Sequence, residues 1–108
     1  MSGYFSNGDS LRAVQTGSAI TVKELLGAGG QGEVYRVDYA GSPHALKWYF
    51  PHTATKSQRE LIEQLVEEGT PGDAFLWPMD LVESDRSTEF GYVMPLREKR
   101  FELSLIHI

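Results

Sequence analysis

Gly27, Gly29, Gly30 and Gly32 crowd into the stretch LLGAGGQGEVYRV, and Lys47 follows a short way downstream. Glycine gives up more conformational freedom on folding than any other residue, so a cluster of it marks backbone that must bend sharply or let something come close. Bared backbone N–H groups suit an anion, a phosphate above all, and a lysine held nearby would supply a fixed positive charge. Glu60 and Glu63 come next and offer carboxylates that could pair with such a lysine, while Glu67 and Glu68 read as a solvated helix end. Metal chemistry has little to stand on: cysteine is absent, and His44, His52 and His107 lack ligand spacing.

Three phosphate-binding readings compete for GAGGQGEV, and its ending and the elements on either side separate them. A Walker A loop ends in Gly-Lys-Ser/Thr, whereas Gly32 is followed by Glu33. A Rossmann fingerprint matches Gly27, Gly29 and Gly32 as a string but requires a helix next, and VYRVDY is β-branched and aromatic. What remains is a hairpin whose glycine tip folds over a nucleotide. Its strands are AITVKELL (19–26) and EVYRVDY (33–39), and AGSP turns the chain into a third, HALKWYF (44–50). Residues 55–69 predict a helix with Leu61, Ile62, Leu65 and Val66 on one stripe, and 75–83 and 90–96 predict two more strands around a polar turn at 84–89. The expected fold class is α+β: a five-stranded antiparallel sheet with one amphipathic helix, in the order β-β-β-α-β-β. Residues 1–18, rich in Ser, Gly and Asn, predict a flexible leader of which 11–14 could pack on the body.

Alternation along the third strand puts Ala45 and Lys47 on one face, a small residue leaving room for a flat base and then an ammonium. A buried ammonium needs a partner. Ser57, Gln58, Arg59 and Glu60 fit a capping box, which would engage Glu60 at the helix start and leave Glu63, nearly a turn deeper, as the preferred partner of Lys47; the choice between the two stays open. Trp48, Phe50 and Trp77 read as packing residues. The net charge of −5 lacks the basic footprint of a nucleic-acid or membrane-surface protein, and nothing reaches membrane-spanning length or forms a secretory h-region, so a cytoplasmic location is expected.

With these residues in place, the chain resembles the small lobe of eukaryotic-type protein kinases, found in bacteria as well as eukaryotes. Gly27-Ala28-Gly29-Gly30-Gln31-Gly32-Glu33-Val34 matches G-x-G-x-x-G-x-V at every fixed position, and Ala45-Leu46-Lys47 matches the end of V-A-I-K, with His44 in place of the usual valine. The resemblance runs from Ile20 to about Arg97. It implies an ATP site in which Lys47 meets the α- and β-phosphates and pairs with a helix glutamate, Glu63. It further implies that Leu26, Val34 and Ala45 sandwich the purine, that Met94 is the gatekeeper, and that Pro95, Leu96 and Arg97 form the hinge, with Arg97 supplying an N–H.

The family also needs a large second lobe with H-R-D-x-x-x-x-N and D-F-G, and neither motif occurs in the sequence. The resemblance therefore implies an incomplete kinase domain over 19–102, inactive alone, with the Mg2+ ligands and the protein substrate's platform elsewhere. Residues 103–108, LSLIHI, match what one reading frame of a common transposon sequencing adapter encodes and are read as a non-native tail. The main expectation is the ATP-binding part of a Ser/Thr kinase. Its competitors are a pseudokinase or regulatory module that binds without catalysis, and a small β-barrel interaction domain with no nucleotide site.

Overall fold

Apolar residues at alternate positions build the strands that make the body of the fold. In the computed structural model, which describes residues 5–69, 78–85 and 87–96, the elements run β1 (Ser10–Ala13), β2 (Ala19–Ala28), β3 (Gly32–Tyr39), β4 (Ser42–Tyr49), α1 (Lys56–Glu68), β5 (Asp80–Glu83) and β6 (Phe90–Pro95). The strands close into an antiparallel barrel in the order β1-β2-β3-β4-β6-β5. The expected open five-stranded sheet of a kinase small lobe is thereby corrected to a closed six-stranded barrel with one helix.

Closure comes from β1, inside the segment read as a leader. It pairs with β2 through Leu11↔Ile20 and with β5 through Ala13↔Val82. An open sheet would leave the edges of β2 and β5 with unpaired N–H and C=O groups; one short strand satisfies both. Leu11 and Ala13 face inward at 4% and 0% exposure. The buried Asp80 carboxylate locks the turn beyond β1 by accepting from the N–H of Gln15 at 3.0 Å and of Thr16 at 3.2 Å. Gly8 and Gly17, at φ of 97° and 74°, provide the left-handed backbone that lets the chain reverse on either side.

The barrel is filled by Ile20 and Val22 of β2, Tyr35 and Val37 of β3, Leu46 and Trp48 of β4, Val82 and Val93, with Phe5 against Trp48 edge to face at 4.9 Å. Each such side chain contributes about 1.5–3 kcal/mol on leaving water. Trp48 fits because its neighbour across the β4–β6 ladder is Gly91, where a Cβ would overlap the Lys47 carbonyl oxygen. Ala40 and Gly41, at φ of 52° and 82°, make the two-residue turn between β3 and β4, so β4 starts at Ser42 rather than at 44.

Helix α1 is capped by Thr55, not by Ser57: Thr55 is extended, and its hydroxyl accepts from the Gln58 N–H at 3.1 Å. Ser57 and Glu60 therefore lie inside the helix and form no capping box. Ile62 is buried and Leu65 and Val66 pack with it against Tyr49, Leu81 and Phe90, while Leu61 is 48% exposed at the margin of that stripe. Among the described residues no helix is long and apolar enough to cross a membrane. Trp77, Arg97 and residues 103–108 lie outside the described residues.

Candidate functional site

The glycine stretch forms the tip of the β2–β3 hairpin. Gly27 and Ala28 end β2 opposite Val34 and Glu33, Gly32 opens β3, and Gly29 donates to the Gly32 carbonyl at 2.9 Å. A register shift between Leu25 and Gly27 bends the ribbon just before the tip. The four glycines are not equivalent. At Gly32 a Cβ would overlap the Trp48 carbonyl oxygen, so the barrel itself demands glycine there. Gly30 differs: its φ is not in the left-handed range, and a Cβ would have open space around it. Nothing among the described residues requires glycine at position 30.

Lys47 sits beside this hairpin on the outer face of β4, between Val34 of β3 and Tyr92 of β6. It is 5% exposed. Its Nζ donates to Oε1 of Gln31, at the tip, over 3.1 Å and lies 5.1 Å from the centre of the Tyr49 ring. No described carboxylate forms an ion pair with it, and burial pushes its pKa below the ordinary 10.5. Burial likewise raises the Tyr49 phenol, whose oxygen accepts from Nε2 of Gln58 at 3.1 Å, and raises Tyr92, with Tyr49 beside it adding to the shift.

Next to Lys47, Val34, Ala45 and Met94 form a buried apolar cluster with Leu26, Tyr92 and Leu96 packed against it. The structure thus gathers Leu26, Val34, Ala45, Met94 and Leu96 in one place, with Pro95 in register with His44 at the end of β6. It does not bring Glu63 to Lys47. Glu63 is exposed and pairs with Arg59 at 3.3 Å, and Arg59 also meets Glu83 at 2.5 Å, so the helix carboxylate is engaged along α1 toward β5. Glu60 is exposed as well.

Sequence reasoning missed Tyr49 and Tyr92. Both could have been found by the same alternation that placed Lys47, since Tyr49 is two positions beyond it and Tyr92 two before Met94. It also missed Thr53, whose hydroxyl donates to the Gln31 carbonyl and which carries no motif. Among the described residues no group of three His, Cys, Asp or Glu could hold a metal ion. No family model matches the chain, and comparison with curated proteins and with solved structures finds no match to it.

Proposed function

We propose that the β2–β3 hairpin and Lys47 bind the polyphosphate of a nucleotide, ATP in particular, as the ATP-binding part of a Ser/Thr protein kinase does. The reading rests on the motif and on side-chain geometry, not on the fold, which is a closed barrel. One observation carries it: a buried ammonium whose hydrogen-bond acceptor is a neutral amide at the glycine tip. A barrel gains nothing from such a cation, whereas a phosphate oxygen in place of Gln31 Oε1 would turn the contact into a charge-assisted one, roughly twice as strong.

The remaining residues fall into supporting roles. Gly30 leaves the backbone open to close approach. Val34, Ala45 and Met94 offer an apolar floor for a flat base, which would be admitted by displacing Leu26 and Leu96, which pack against that floor. ATP would supply the phosphoryl group for transfer to a protein hydroxyl. Lys47 would orient the α- and β-phosphates, while a general base and Mg2+ ligands would come from outside the described residues. A cytoplasmic setting, where ATP is abundant, goes with this reading.

A second reading, a β-barrel interaction module without a nucleotide site, is favoured by the closed sheet and by the full burial of Ala45 and Met94 at 0% exposure. Equilibrium binding of MgATP to the wild type and to Lys47→Met separates the two. The nucleotide reading expects saturable binding that weakens about tenfold or more in the variant and is competed by inorganic tripolyphosphate. Equal affinities, or no binding to either protein, would favour the interaction module.

A further inference from the structure

The tip of the glycine hairpin is tied down from the connection between β4 and α1. The Gln31 carbonyl oxygen accepts from the Phe50 N–H at 2.9 Å and from the Thr53 hydroxyl. Thr53 itself is fixed, because its N–H donates to the Phe50 carbonyl at 3.0 Å, as does that of Ala54 at 2.9 Å. A hydroxyl has one proton. Since the Phe50 carbonyl already receives two amides, the Thr53 proton is free for Gln31, with the Phe50 oxygen at 3.1 Å as the alternative.

Gln31 is consequently held twice, by its main chain to Phe50 and Thr53 and by its side chain to Lys47. The side-chain contact is the one a phosphate would displace; the main-chain contact stays and sets the height of the tip above the ammonium. Beyond these, the Gly29 N–H to the Gly32 carbonyl closes the tip, while Gly29, Gly30 and Gln31 are exposed and Gly30 has open space around it.

We infer that Thr53 is a positioning residue, a clasp that keeps the glycine tip closed and thereby sets how long a bound polyphosphate stays. The second half of the inference rests on the nucleotide reading above; the first half does not. The full chain and its Thr53→Ala, Thr53→Val and Thr53→Ser variants are compared in two measurements: amide hydrogen exchange over residues 29–31 without ligand, and dissociation of a fluorescent ATP analogue, with Mg2+, chased by unlabelled ATP.

Loss of one hydrogen bond is expected to speed exchange at the tip about fivefold in Thr53→Ala and Thr53→Val and to raise the dissociation rate by a similar factor. The association rate should stay close to wild type, and Thr53→Ser should restore both readouts. A purely structural threonine would instead lower the melting temperature and leave the tip's exchange, relative to the rest of the barrel, unchanged. Unchanged tip exchange in Thr53→Ala, slower dissociation in that variant, or failure of serine to rescue would overturn the clasp. Faster tip exchange in a protein whose wild type binds no analogue would uphold the clasp and overturn the nucleotide reading and the residence-time role with it.

Discussion

The two faces of β4 are both buried, for different reasons. Inward, Leu46 and Trp48 meet Phe5, Tyr35, Val82 and Val93, and shape decides the fit. Outward, Ala45, Lys47 and Tyr49 are covered as fully, at 0%, 5% and 3% exposure, yet one of the three is a cation. The inner face tolerates one orphan, the Trp48 indole N–H, which has no partner among the described residues. The outer face holds an ammonium with an amide for company. A lone N–H costs a few kcal/mol at most, whereas a buried charge is opposed by its whole hydration. A buried charge that no described residue balances with an opposite charge is the kind of broken local rule that marks a site.

The largest effects belong to the inner face. Trp48→Ala should lower unfolding stability by about 3–5 kcal/mol, because the surrounding strands cannot collapse into the space left by the indole. Gly91→Val should come close to that, since even a Cβ would overlap the Lys47 carbonyl oxygen and lie 2.9 Å from Cε3 of Trp48. Chemical denaturation measures both. If either variant were within about 1 kcal/mol of wild type, the account of the interior as a close-packed plug would fail.

The strands that carry the site were legible in sequence because each announces itself. AITVKELL and EVYRVDY are dense in β-branched and aromatic residues, and alternation alone sets Ala45 and Lys47 on one face. The closure of the barrel was not legible. Strand β1 has four residues with only Leu11 and Ala13 inward, and it holds because both its edges find partners in β2 and β5 and because Asp80 secures the following turn. Those are long-range facts with no local signature. The helix span was legible but its cap was misread: Thr55 and Ser57 are both sound caps, and the extended backbone at Thr55 decides between them. At the site, the motif named Lys47 and the apolar residues around it but overlooked the tyrosines, and it preferred Glu63 as partner where the structure has Glu63 on Arg59.

A smaller effect, of opposite sign, is expected on the outer face. Lys47→Met keeps the aliphatic bulk and removes the charge, so the free protein should gain on the order of 1 kcal/mol while, on the nucleotide reading, losing affinity for polyphosphate. The pH dependence sharpens this. Burial lowers the Lys47 pKa below 10.5, so between the lowered value and 10.5 the unfolded chain binds more protons than the folded one, and wild-type stability climbs with pH across that window. Tyr49 and Tyr92 act the other way: burial raises both, so their contribution is complete below about pH 10 and fades above it. Subtracting the melting curves of Lys47→Met from those of wild type cancels most of the tyrosine effect and should leave a difference that narrows as pH rises. A difference independent of pH would mean that Lys47 is well solvated, and the contrast between the two faces would collapse.

The smallest change tests whether the helix takes part at all. Glu63 and Arg59 form an exposed pair four residues apart, the geometry in which such contacts add about 0.3–0.5 kcal/mol, and Arg59 keeps Glu83 and the Phe90 ring at 5.8 Å when Glu63 is removed. Glu63→Gln should therefore shift stability by no more than that. Its effect on MgATP affinity is the informative part. With the carboxylate held along α1, the substitution should leave affinity unchanged within about twofold, whereas Lys47→Met is expected, on the nucleotide reading, to reduce it by an order of magnitude. A tenfold loss in Glu63→Gln would mean that binding draws the carboxylate off Arg59 and across to Lys47, so that the outer face gains from α1, only when occupied, a charged partner that no described residue gives it in the free chain.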